Sequence, residues 1–235
     1  MDKQRLRERV WDELEESEEA RFPFPPHNRI PNFAGANEAA ERLRELEAWN
    51  EADVIKSNPD APQLPVRRAA LRQGKVVYMA VPRLRDEKCF LRLDPAEIED
   101  IEHATTVGGS SEVGVPVRPE RMDSVELIVS GSVAVNARGA RVGKGEGYSD
   151  IEFAILREFG LVDDDTTTLT TVHEMQVVDE GIPTSPHDVP IEWILTPERT
   201  KEGGQLERKP MGIDWQHISE EKIAEIPVLQ KIRSE

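Results

Sequence analysis

"SVELIVSGSVAVNARGARVGKGEGYSDIEFAILREFG", residues 124–160, decides the fold. Residues 124–136 are a β-branched apolar run, which predicts a strand buried on both faces. "GARVGKGEGYSD", residues 139–150, then sets four glycines beside Arg141 and Lys144. Ile151, Ala154, Ile155 and Phe159 follow at helical spacing and stop at Gly160. A buried strand, a glycine turn and a helix, in that order, belong to an α/β protein with a largely parallel sheet.

The flanking sequence repeats the alternation. Leu6, Val10, Trp11 and Leu14 predict an opening helix, and "FPFPPHNRIPNF" predicts an ordered loop, since four prolines disfavour helix and central strand alike. "NEAAERLRELEAWNE", residues 37–51, reads as one helix capped by Asn37. "ADVIKSN", "KVVYMAVP", "CFLRLD", "TTLTTVHEMQVV" and "IEWILT" read as strands, and "VRRAALRQG" as a helix stopped by Gly74. The expected architecture is a single α/β domain, a mixed or mainly parallel sheet flanked by helices.

Bulk properties narrow the function classes. Across 235 residues, 46 acidic against 30 basic side chains give a formal charge of −16. Phosphate backbones and anionic lipids repel such a surface, so no nucleic-acid and no membrane partner is expected. A single cysteine, Cys89, excludes an internal disulfide and fits a reducing compartment. No apolar run is long enough to span a membrane, and a cytoplasmic location is expected.

Within this acidic chain the glycine stretch carries the chemistry. Gly143, Gly145 and Gly147 let backbone approach a ligand closely, Arg141 offers a forked cation and Lys144 a mobile one. The spacing matches neither GxGxxG nor the Walker pattern, so a phosphate cradle and a surface turn both remain open. Asp150 suits a Mg²⁺ ligand or a first-turn acid of the helix, and Tyr148 lines a pocket or packs. Arg29, Asn32, Lys56 and Asn58 sit in proline-bounded loops, where binding groups concentrate. They are candidates for substrate recognition. The five histidines show no metal-ligand spacing, and "HEMQV" lacks the second histidine of HExxH. His187 beside Asp188 reads as a loop-stabilising pair.

"RVGKGEGYSD" resembles the Arg-x-Gly-x-Gly-x-Gly-Tyr-Tyr-Asp pattern of the 5-formyltetrahydrofolate cyclo-ligase family, at Arg141, Gly143, Gly145, Gly147, Tyr148 and Asp150. "KQRLR" is similar to the family's opening Lys-x-x-Leu-Arg, through Lys3 and Arg7. Gln176, Pro183, His187, Asp188 and Thr196 follow its later segment in order. "RIPNFAGA" and "KSNPDAPQ" look like the branch called methenyltetrahydrofolate synthase domain-containing proteins.

The resemblance implies a cyclo-ligase type fold over residues 1–198, with residues 199–235 an extension packing on or near it. It implies ATP- and Mg²⁺-dependent conversion of 5-formyltetrahydrofolate to 5,10-methenyltetrahydrofolate through a phosphorylated formyl intermediate. Lys3, Arg7, Arg141, Gly143, Lys144, Gly145, Glu146, Gly147 and Tyr148 then bind nucleotide. Arg141, Lys144, Tyr148 and Asp150 act in catalysis, with Asp150 on the metal. Asp60, in the place of the family's folate-pocket acid, joins Arg29, Asn32, Lys56 and Asn58 toward a folate or other carboxylated substrate. Ser149 and Ile151 depart from the pattern, so a related ATP-dependent enzyme with another substrate, or a noncatalytic folate- or nucleotide-binding regulator, stands as the alternative. A monomer or weak homodimer is expected.

Overall fold

The computed structural model describes residues 2–204 and 208–234. Its main sheet has eight strands: β1 Val54–Ser57, β2 Val76–Ala80, β3 Phe90–Leu93, β4 Val115–Val117, β5 Leu127–Val129, β6 Thr167–Thr171, β7 Trp193–Leu195 and β8 Thr200–Glu202. They lie in the order β8-β7-β6-β5-β1-β2-β3-β4. The five strands from β7 to β2 run parallel, while β8 pairs antiparallel with β7, and β3 pairs antiparallel with both β2 and β4. The architecture is a mixed sheet with a parallel centre.

Alternation along the central strands feeds two cores, because successive side chains in a strand point to opposite faces. Leu127, Val129, Val77 and Met79 pack with Leu43, Leu46 and Trp49 and with Val66 and Leu71 of helix α2, Leu64–Arg72. Ile128, Tyr78 and Phe90 pack on the other face with Phe153, Ile155 and Leu156 of helix α3, Tyr148–Glu158. Ile226, Val228 and Leu229 join this second core from helix α5, Pro227–Ser234, and the residue before it. The opening helix, Lys3–Glu16, buries Leu6, Val10, Trp11 and Leu14 against Val133, Ala134 and Val142 of a smaller three-stranded sheet.

Two expectations are corrected. Residues 124–136 are not one strand: Leu127–Val129 lies in the main sheet, whereas Ala134–Asn136 pairs with Arg141–Val142 and Val177–Val178 in the smaller one. The transfer occurs at Gly131, whose N–H donates to the Asn58 amide oxygen at 2.9 Å. A Cβ there would stand 2.9 Å from Ile30 Cγ1, so only glycine lets the chain pass between the sheets. Residues 37–51 are not one helix either. They divide into Ala36–Glu41, a tighter turn Arg42–Glu45 and Glu47–Glu51, because Leu46 turns extended. That break buries both Leu46 and Trp49. Gly35, not Asn37, occupies the N-cap position. The segment "KEGGQLERKP" includes residues 205–207, which lie outside the described residues.

Candidate functional site

Strand order reverses beside β1: the chain leaves it for β2 on one side and returns to β5 on the other. In open α/β sheets a crevice forms outside the carboxyl ends of strands at such a switch point. Asn58 follows β1 and Gly131 lies two residues beyond β5. A cavity of about 1100 Å³ opens above them. Its wall includes eight Lys or Arg and six Asp or Glu side chains among the described residues, a basic balance inside an acidic molecule. An anionic ligand is therefore favoured here and nowhere generally on the surface.

The glycine turn forms one wall. It runs from the strand Arg141–Val142 to α3, with Gly147 at the N-cap in the left-handed region, φ 74°. The Arg7 guanidinium reaches across from the opening helix to donate to the Gly143 carbonyl at 2.7 Å. Burial lowers its pKa from the usual arginine range. Lys3 pairs with Asp188 at 2.7 Å. Lys144 pairs with Glu146 of its own turn at 2.8 Å, so the turn's mobile cation is partly neutralised before any ligand arrives.

Arg141 is nearly buried and bonds to the Gly131 carbonyl at 2.9 Å and to Asp150 at 2.7 Å. Asp150 Oδ1 also accepts the Val189 N–H at 3.0 Å, which ties α3 to the segment carrying His187 and Asp188. Tyr148 turns toward the C-terminal segment: its hydroxyl donates to Glu225 at 3.0 Å and Lys222 Nζ stands 3.3 Å from its ring centroid. Burial, then the bond to Glu225, pushes the phenol up to about 12.

Asp60 lines the same cavity, with Arg29 and Asn32. Loss of hydration raises the Asp60 carboxyl above its ordinary value, against the pull of Lys144, Arg67 and Lys56. Asn58 reaches the wall, yet its amide is engaged within the protein, donating to Glu152 at 3.1 Å and accepting from Gly131. Lys56 is corrected as a substrate contact. It does not line the cavity and is buried in an ion pair with Glu152 beneath the floor. Gln176 donates to the carbonyls of Ser132 and Val133, holding the crossover between sheets.

Sequence reasoning missed four contributors. Arg67, in "VRRAALRQG", is buried and donates to the carbonyls of Asn58 and Asp60 at 2.7 and 3.1 Å. Burial lowers it to about 10. Glu152, in the helix after the glycine turn, is buried as the partner of Lys56. Lys222 and Asp214 enter the cavity wall from the C-terminal segment, whose sequence carried no motif. His187 and His217, 30 residues apart in sequence, both approach Asp214 on the cavity wall.

The model of the "5-formyltetrahydrofolate cyclo-ligase family" matches residues 1–197. The chain belongs to this family. The mouse (Mus musculus) "Methenyltetrahydrofolate synthase domain-containing protein" is 42% identical over 237 residues, covering 98% of this chain and 63% of the relative. The human (Homo sapiens) protein of that name is 38% identical over 238 residues, covering 99% and 61%. The chain thus spans about three fifths of the length of these curated relatives. The NMR structure of Aquifex aeolicus 5,10-methenyltetrahydrofolate synthetase aligns with a TM-score of 0.55 at 18% identity, covering 93% of this chain and all of that one. That likeness shows the cyclo-ligase fold. No helix among the described residues is long and apolar enough to cross a membrane.

Proposed function

We propose that this cyclo-ligase family member converts 5-formyltetrahydrofolate to 5,10-methenyltetrahydrofolate with ATP and Mg²⁺. One observation carries the reading: one cavity is lined both by the glycine turn, with Arg7, Arg141 and Lys144 beside it, and by Asp60. The residues present fit a nucleotide. The turn's backbone and three cations suit phosphate oxygens, and Arg141 Nε is buried with no hydrogen-bond partner in the protein. They also fit a cation held through phosphates. Asp150 lies on the cavity wall and takes both of its protein hydrogen bonds at Oδ1, and one carboxylate with phosphate oxygens and water is a common Mg²⁺ donor set. Bound there, the ion would neutralise charge on the transferred phosphoryl group.

In this reading the N5-formyl oxygen takes the γ-phosphoryl group of ATP and ADP departs. N10 then attacks the formyl carbon and loses its proton, and inorganic phosphate leaves with the former formyl oxygen. Phosphorylation converts a poor, amide-like leaving group into a good one. The protein's share is positioning and charge stabilisation. Arg141 and Lys144 face the phosphates, Lys3 and Arg7 extend the cationic wall, and Asp60 orients the reduced pteridine with Arg29 and Asn32 beside it. Incubating the protein with 5-formyltetrahydrofolate, ATP and Mg²⁺ should yield the methenyl chromophore and ADP in equal amounts. Failure to form the methenyl product rejects the reading.

One observation favours a second reading. Lys222 and Glu225 engage Tyr148, and Lys222 joins the departures Ser149 and Ile151 in the cavity lining. This suits a related ATP-dependent enzyme with another carboxylated substrate, or a folate- or nucleotide-binding regulator. ADP formation with a different acid, or ATP binding without turnover, would identify which.

A further inference from the structure

We propose that His187, Asp214 and His217 form a site for one divalent transition-metal ion at the rim of the cavity, separate from Asp150. Their candidate ligand atoms lie within 4.8 Å of one another. His217 Nδ1 is 2.7 Å and His187 Nδ1 3.7 Å from Asp214 Oδ2, and the two rings are 5.6 Å apart and tilted by 37°. Ligands bound tetrahedrally at about 2.0–2.1 Å from zinc stand roughly 3.4 Å apart. Small side-chain rotations therefore close the triangle.

Three features distinguish this cluster from an ordinary surface ion pair. His187 Nδ1 is shielded from solvent with no hydrogen-bond partner within the protein, an unusual state for an imidazole nitrogen beside a carboxylate. Asp214 is held in place independently, because Oδ1 accepts the Gln216 N–H at 3.2 Å and leaves Oδ2 directed to the histidines. All three residues line the cavity, so a fourth coordination position opens toward its contents. Two imidazoles and one carboxylate select zinc, cobalt or nickel over Mg²⁺, which prefers oxygen ligands.

The ligands come from two segments. His187 lies in the segment tied to the opening helix through the adjacent Asp188 and Lys3, while Asp214 and His217 precede helix α4, Glu220–Glu225. A bound ion would join these segments across the rim. It would restrain the C-terminal segment that carries Lys222.

The test is calorimetric titration of zinc chloride into the tag-free, chelator-treated full chain, repeated in excess Mg²⁺. One ion per chain is expected, with little competition from Mg²⁺. His187→Gln, Asp214→Asn and His217→Gln should each weaken binding at least tenfold, whereas His103→Gln, at the exposed His103–Glu112 pair, should leave it unchanged. Cobalt should give tetrahedral d–d absorption that His217→Gln abolishes. Melting of each metal-free variant establishes that it is folded, and a variant that is not folded is replaced by the remaining two. Absence of a saturable one-to-one site, or zinc affinity unchanged in the folded variants, overturns the proposal. Neither outcome depends on folate or ATP chemistry, so this proposal and the cyclo-ligase reading stand or fall separately.

Discussion

At the scale of single residues, the cavity sets charges against each other, and their balance can be shifted. Glu146 neutralises Lys144 within the glycine turn. The pair is substantially exposed, so its strength is no more than about 1 kcal/mol. Glu146→Gln should tighten ATP binding roughly two- to fivefold, measured by calorimetry at low salt, and unchanged affinity would place Lys144 away from the phosphates. Arg141→Ala has the opposite sign and a larger effect. It removes a cation from the turn and leaves Asp150 without its partner, so nucleotide affinity should fall at least tenfold and stability by about 3 kcal/mol. Unaltered affinity in a folded variant would remove Arg141 from the nucleotide site.

Asp60 gives a pH-dependent prediction. Its folded-state pKa is raised by lost hydration, so the folded chain holds that proton more tightly than the unfolded chain. The associated stability is fully present below the unfolded carboxylate value and is lost as pH rises through the folded one. Asp60→Asn should therefore melt higher than the parent at pH 7.5, with the gap closing on acidification through the carboxylate range. A gap that widens with acid would show that Asp60 is stabilised as an anion. In the proposed function the same variant loses folate affinity, so this side chain would sacrifice stability to recognition.

At the scale of elements, the decisive joint is where β5 ends. Gly131 sits against Ile30 on one side and within 3.2 Å of Asp60 Oδ2 for an added Cβ on the other, while its carbonyl receives Arg141. Gly131→Ala should cost about 1–3 kcal/mol in urea denaturation by overpacking. Wild-type stability would mean that the floor yields more easily than its contacts suggest. The strand, glycine turn and helix of residues 124–160 were legible because each has its own period or composition. The break at Gly131 was not, since an apolar run has the same pattern whether it serves one sheet or two. For the same reason Lys56 was read by residue type, as substrate-facing, and Arg67 carried no reading, although burial and partners decide their roles. Local spacing carries no record of the partner: Glu152 lies far along the chain from Lys56 and His217 from His187, and only the tertiary fold brings them together.

At the scale of the whole molecule, the C-terminal segment belongs to the packing of the main sheet. Leu229 and Ile226 are fully buried in the core that contains Phe153 and Ile128. Leu229→Ala should destabilise by about 2–5 kcal/mol in chemical denaturation, and a loss below 1 kcal/mol would mean that α5 is dispensable to that core. The surface that α5 covers was beyond sequence reading, because its few apolar residues acquire meaning only from that surface.

The cavity wall draws on residues 3–7, on residues 141–150 and on residues 213–222. A ligand seated there touches the opening helix, the glycine turn and the segment that carries Lys222 at once. Binding only to the fully assembled chain, it stabilises by RT ln(1 + [L]/Kd), about 2.7 kcal/mol at a hundredfold excess over Kd. Abundance of the protein would then follow the supply of its own ligand, since the unfolded fraction is what proteases remove.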